Sequence, residues 1–168
     1  SYSHTLSSGY WFQWKINRLW CWNCYQEKVT GTGKGQLAMI IGIGCDIIDV
    51  ERIQRAIEKN SRFCEKLFTP SEIAYCSQKA NSFQSFAVRF AAKEAVMKAL
   101  GTGWNEKVSW LDIEIVNSET GSPAINLSGG AKKLAKELKV NNICLSLAHE
   151  KGYALAFVIL ESNRKHNF

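Results

Sequence analysis

The chain has 168 residues, 46% of them hydrophobic and 21% charged, with a formal net charge of +6. That balance suits one globular domain with a core of its own and excludes an intrinsically disordered chain. Its apolar runs all fall short of the roughly 18 residues a membrane-spanning helix needs, and its six cysteines, in a chain this rich in core residues, read as reduced thiols.

Residues 1–38 differ in composition from the rest of the chain. They hold four of the six tryptophans, Trp11, Trp14, Trp20 and Trp22, and their basic residues Lys15, Arg18, Lys28 and Lys34 face a single acid, Glu27, which is +3 of the net charge. Thr30-Gly-Thr-Gly-Lys-Gly35 reads as a linker. The expected organisation is an appended extension over 1–38, a domain over 39–161 and a frayed tail over 162–168. Cys21-Trp-Asn-Cys24 has the spacing of half a zinc site, but no second Cys-x-x-Cys and no spaced histidine pair completes it. Lys15, Asn17 and Arg18 interrupt the aromatic stretch, so it does not read as a secretory core, and a cytoplasmic location is expected. With half of the excess positive charge in the extension, the domain is only mildly basic, and neither a nucleic-acid nor a membrane partner is expected.

From Met39 the run Met-Ile-Ile-Gly-Ile-Gly-Cys-Asp46-Ile-Ile is rich in β-branched residues and predicts a buried strand. Asp49 is the better N-cap for the helix predicted over 50–59, so Asp46, beside glycines at the strand end, is left to face a cleft. Arg52, Arg55, Lys59, Arg62 and Lys66 fall within roughly an 80° stripe if helical phase is kept to residue 66. Such a stripe is either a solvated face or a docking surface for an acidic partner. Thr69-Pro-Ser-Glu72 is a capping box opening a helix to about Gln78. Asn81-Ser82 opens a long helix that runs to Leu100 and is broken by Gly101-Thr-Gly103. Residues 110–116 and 124–127 predict a strand pair, 129–139 an amphipathic helix, and 143–148 and 153–160 two strands joined by His149-Glu-Lys-Gly152.

The long helix is not amphipathic in the ordinary way. At about 100° per residue, Phe86, Phe90 and Met97 share one side while Val88, Ala92, Ala95 and Ala99 cover much of the other. Arg89 and Lys93 border the aromatic side, and Glu94 and Lys98 lie together on another flank at i,i+4 spacing. This is the pattern of a mostly buried helix that presents selected charges. Asp46, Glu94 with its basic neighbours, and His149 thus stand at the edges of apolar elements. Two carboxylates among cations suit a divalent ion holding phosphate, because Mg²⁺ takes one or two carboxylates plus substrate phosphates and water.

Three segments carry a closer likeness: Ile-Gly-Ile-Gly-Cys-Asp-Ile-Ile-Asp-Val-Glu-Arg-Ile (41–53), Arg-Phe-Ala-Ala-Lys-Glu-Ala-Val-Met-Lys-Ala-Leu-Gly-Thr-Gly (89–103) and Leu-Ser-Leu-Ala-His-Glu (145–150). In order and in register, they resemble the signature segments of the holo-acyl-carrier-protein synthases, small 4'-phosphopantetheinyl transferases. The resemblance implies an α+β fold, a curved antiparallel sheet packed on a long central helix, assembled as a homotrimer. It implies transfer of the 4'-phosphopantetheine arm of coenzyme A to a serine of apo acyl carrier protein, in support of fatty acid biosynthesis, with Mg²⁺ as cofactor. Carried over by position, Asp46 and Glu94 are the metal ligands, and Arg89, Lys93, Lys98 and His149 contact coenzyme A. Arg52, Arg55 and Arg62 meet the acidic carrier.

Glu94, a metal-activated water and Lys98 all remain open as the base that deprotonates the serine. Ala148 stands where the family more often has a hydroxyl residue, so one polar contact is missing or falls to Ser146. Two alternatives stay beside this reading: the same chemistry on a peptide- or polyketide-synthase carrier, and a non-catalytic binder of an acidic partner.

Overall fold

A computed structural model describes residues 37–60, 62–103, 107–118, 121–150 and 152–164, and every structural statement concerns these alone. Residues 1–36, with Cys21 and Cys24, lie outside them. The elements are β1 (Leu37–Asp49), α1 (Val50–Lys59), α2 (Phe63–Leu67), α3 (Pro70–Ser77) and α4 (Ser82–Ala99), then β2 (Ile113–Asn117), β3 (Pro123–Leu127), α5 (Gly129–Glu137), β4 (Asn142–Glu150) and β5 (Tyr153–Arg164). β1, β5 and β4 form an antiparallel sheet in that order, and β2 pairs with β3 in a second. The α+β expectation of an antiparallel sheet on a long helix holds. No helix among the described residues is long and apolar enough to cross a membrane.

The sequence Ile41-Gly-Ile-Gly44 sets the geometry of the whole. α4 turns its small residues toward β1, and a methyl group added at Gly44 would run into the Ala95 carbonyl, one at Gly42 into that of Ala99. Helix and strand therefore approach with no side chain between them. Side chains alternate along a strand, so Gly42, Gly44, Asp46 and Ile48 all face α4. Their partners on β5, Leu160, Val158, Ala156 and Ala154, are fully buried against the same helix. Ala87, Ala91, Ala92, Ala95, Val96 and Met97 are likewise fully buried, which accounts for the apolar residues spread round most of α4.

Four local expectations need correction. The chain between α1 and α2 turns extended at Asn60, with φ −139° and ψ 106°, so helical phase is lost and Arg62 leaves the stripe of Arg52 and Arg55. Trp110–Asp112 is a 3-10 turn and not the start of a strand, because Ser109 and Asp112 form a reciprocal capping box there. α5 ends at Glu137 rather than Lys139, which has a positive φ of 59°. β5 continues to Arg164, held by pairing with β1 as far as Leu37, four residues beyond the strand end expected at 160.

Candidate active site

Asp46 is carried by β1, opposite Ala156 of β5, on the face that α4 covers. Its side chain is 16% exposed, and its Oδ1 accepts from Lys98 Nζ at 2.8 Å. Lys98 lies in the last turn of α4, where the helix dipole favours a cation, and also donates to the Cys45 carbonyl at 3.0 Å. Glu94 sits one turn earlier on the same helix flank. Burial holds its carboxyl above the ordinary value, and the charge of Asp46 raises it further, while Lys98 and Arg52 pull the other way. These four groups feel one another across three elements, β1, α1 and α4. Although Glu94 and Lys98 have i,i+4 spacing, the ion pair of Lys98 is the tertiary one with Asp46.

The position of Arg52 comes from local chemistry. Asp49 Oδ1 accepts from the backbone N–H of Glu51 at 2.8 Å, capping α1 three residues after Asp46. Val50 N–H donates to the Gly152 carbonyl at 2.7 Å, tying the start of α1 to the β4–β5 hairpin. Arg52 and Arg55 are exposed on α1, and Arg55 Nε donates to the Glu51 carbonyl at 3.3 Å.

His149 is not in a loop as expected. It lies within β4, paired with Ala154 in the row that includes Ile48 of β1, so it shares the sheet face of Asp46. Two strand spacings, about 10 Å, separate β4 from β1. His149 is exposed and sits on the rim of the face rather than beside the carboxylates.

Arg89 and Lys93 do not join this group. Lys93 is fully buried; its Nζ pairs with Glu72 Oε2 at 2.7 Å and donates to the carbonyls of Leu67 at 2.7 Å and Trp110 at 3.1 Å. Burial lowers its pKa, against the opposing pull of Glu72. Three donors and three acceptors leave nothing for a phosphate. Arg89 is 6% exposed, donates to Asn117 Oδ1 at 3.0 Å and stacks 4.2 Å from the Tyr75 ring centroid. Both therefore cross-link α4 to α3, β2 and their connections, and the phosphate contacts implied for them do not fit their placement. Sequence reasoning missed Glu72 as the partner of Lys93. Its role in the Thr69 capping box hid a second one, since Oε1 also accepts from the Ile115 backbone N–H at 3.0 Å.

The pair Asp46 and Glu94 suits a hard divalent cation. Among the described residues no group of three or more His, Cys, Asp or Glu gathers as a metal cage. Two carboxylates fit Mg²⁺, which takes one or two such ligands and keeps water and substrate phosphate in its remaining positions.

A family model of the 4'-phosphopantetheinyl transferase superfamily matches residues 42–158, which takes in Asp46, Glu94, Lys98 and His149. The chain belongs to that family. It is 50% identical over 125 residues to the holo-[acyl-carrier-protein] synthase of Solibacter usitatus, covering 74% of this chain and 100% of that one. Its fold matches the Neisseria meningitidis holo-[acyl-carrier-protein] synthase at 36% identity and a TM-score of 0.69, covering 74% of this chain and 100% of that chain. The Helicobacter pylori enzyme, solved in complex with coenzyme A, matches at 35% identity and a TM-score of 0.63 over 70% of this chain and 98% of its own. The family's residue span begins within β1 and ends within β5, so the strands that carry Asp46 and His149 belong to the shared core.

Proposed function

We propose that the protein transfers the 4'-phosphopantetheine arm of coenzyme A to a serine hydroxyl of apo acyl carrier protein, leaving adenosine 3',5'-bisphosphate. The observation that carries this reading is the 50% identity to a holo-[acyl-carrier-protein] synthase along that protein's full length, joined to two carboxylates set among cations at the β1–α4 contact.

Cleaving a pyrophosphate requires that charge building on both phosphoryl groups be offset, which positioning and electrostatics achieve without a covalent intermediate. Asp46 and Glu94 would hold Mg²⁺, and the bound ion supplies positive charge against the bridging phosphates. Lys98 and Arg52 add positive charge at the same mouth, and His149, exposed on the sheet rim, would meet a more distant part of the substrate. Burial and the charge of Asp46 hold the Glu94 carboxyl above its ordinary value, a cost that a bound cation would offset.

The carrier would dock on α1 through Arg52 and Arg55, whose exposed charge complements an acidic surface. A homotrimer would assemble through the sheet face turned away from α4, where Ile40, Ile43, Ile47, Tyr153 and Phe157 are all exposed. A cluster of that kind is larger than the scattered apolar residues of a monomer surface. A cytoplasmic enzyme meets both coenzyme A and the carrier. Incubation with apo acyl carrier protein, coenzyme A and Mg²⁺, followed by intact-mass spectrometry, should show a phosphopantetheine adduct on the carrier. No adduct, with a folded protein and an active control carrier, would sink the reading.

A further inference from the structure

The contact between Lys98 and Asp46 has a role beyond the charge it adds to the proposed transfer. Asp46 lies against α4 beside a second carboxylate, and a partly desolvated acid in that position needs a positive partner. Lys98 provides one at 2.8 Å. The same Oδ1 is the atom a divalent ion would need. The ammonium is tethered by the Cys45 carbonyl at 3.0 Å, on the residue just before Asp46, so it is held at the carboxylate by main chain and not only by charge. The Lys98 side chain is 49% exposed, while that of Asp46 is 16% exposed. The ammonium can therefore swing outward on its flexible stem without unpacking α4.

We propose that Lys98 is a built-in stand-in for the cation: it occupies Asp46 while the site is metal-free and is displaced to the mouth of the site when the ion binds. This rests on the reading of Asp46 and Glu94 as the metal pair. The swap has a thermodynamic consequence. Without coenzyme A, a cation must break the Lys98–Asp46 contact and then share the site with a displaced ammonium, so it binds weakly. With coenzyme A present, the displaced ammonium gains a phosphate oxygen as its new partner. Cation and coenzyme A then strengthen each other's binding by the same factor, as linkage requires. Lys98 is thus a positioning residue that keeps the site from loading with metal before the substrate arrives.

The test is Mn²⁺ binding by the full chain, read from the free-ion electron paramagnetic resonance signal, with and without coenzyme A. Lys98→Met should bind Mn²⁺ about three- to tenfold more tightly than the unaltered protein when coenzyme A is absent, the size expected for losing an exposed ion pair and one repelling charge. It should also lose most of the tightening that coenzyme A produces. Lys98→Arg should stay within about twofold of the unaltered protein in both respects, since it keeps the charge. Circular dichroism would show that both variants are folded. If the unaltered protein binds Mn²⁺ and Lys98→Met binds it no more tightly, Lys98 is not a stand-in and the metal pair survives. If neither binds Mn²⁺ under either condition, the metal pair itself fails and the stand-in with it.

Discussion

Lys98 reaches across from α4 to Asp46 on β1, Nζ to Oδ1 at 2.8 Å, rather than along its own helix to Glu94. Spacing of four residues on a helix makes a pair possible, but it stabilises by only about 0.2–0.5 kcal/mol, and at Asp46 the ammonium gains the Cys45 carbonyl as a second acceptor. Glu94 is left with its charge opposed by burial and by Asp46, a combination retained where function needs it.

Glu94→Gln should therefore abolish phosphopantetheine transfer and at the same time raise thermal stability at neutral pH. The Glu94 carboxyl in the folded chain titrates above its ordinary value of 4.5, so ionising it disfavours folding. That penalty is absent below the ordinary value and grows as pH rises through the folded one. The variant should melt higher than the unaltered protein at pH 7, with the difference closing near pH 4. A lower melting temperature at pH 7 would mean that Lys98 and Arg52 outweigh the burial of Glu94. Asp46→Asn should abolish transfer too, read in the same mass-spectrometric assay.

Lys93→Ala should act on stability and not on coenzyme A. It strands Glu72 as a buried carboxylate, and removing one member of a buried pair costs about 3–5 kcal/mol. Urea unfolding should show that loss, and adding Glu72→Gln should recover part of it, because the stranded charge is removed while an acceptor for the Ile115 N–H is kept. The KM for coenzyme A, measured on the folded fraction, should be unchanged. A rise of tenfold or more would restore Lys93 to the phosphate site.

Gly44→Ala tests the close approach of β1 and α4. The added methyl meets the Ala95 carbonyl, which cannot move without its helix, and overpacking of this kind costs about 1–3 kcal/mol. Because Asp46 is two residues further along the same strand face, transfer should fall at least 10²-fold even where the protein remains folded, as small misplacement of catalytic groups does. Near-normal activity in a folded Gly44→Ala protein would show that the spacing of Asp46 from Glu94 is not set there.

Arg55→Glu is the cleaner probe of carrier docking, since Arg52 also acts on Glu94. It should raise the KM for the carrier about tenfold with little change for coenzyme A, and flatten the salt dependence of the carrier KM. Equal losses for both substrates would point away from α1 as the docking surface.

Cys76 should resist alkylation. Its thiol is fully buried and pushed up to about 11, chiefly by burial, so at pH 8 the thiolate is a fraction of about 10⁻³ and has no path to reagent. Peptide mapping after an iodoacetamide pulse should find Cys76 unmodified in the folded protein and modified after denaturation. Rapid native labelling there would show that α3 opens.

Much of the site was legible in the residues. Asp46 stood out because Asp49 took the capping role and left it without local work, and the two flanks of α4 were separable by angle alone. That same angle already parted Arg89 and Lys93 from Glu94 and Lys98. The resemblance then drew all four toward one ligand, and the structure restores the division. What the sequence could not supply was the tertiary partner of each charge. Whether Lys93 meets Glu72 or a phosphate depends on how α3 lies over α4, which neither periodicity nor spacing encodes. The lost phase between α1 and α2 has a similar cause: one extended residue, Asn60, rotates everything after it, and nothing in the charge pattern marks that break.

β5 contributes no candidate catalytic group, yet it decides which ones meet. It lies between β1 and β4, and its Ala154 and Ala156 pair with Ile48 and Asp46 on one side and with His149 and Leu147 on the other. The strand thus works as a gauge with a parity: Asp46 and His149 share a face only because an even number of residues separates their rows. A single residue added between Ala154 and Ala156 would turn one of them to the opposite side while leaving every proposed site residue in the chain. Length polymorphism should therefore be tolerated at the end of β5 near Arg164 and forbidden between Ala154 and Ala156, a constraint on the gene that no inventory of catalytic side chains would disclose.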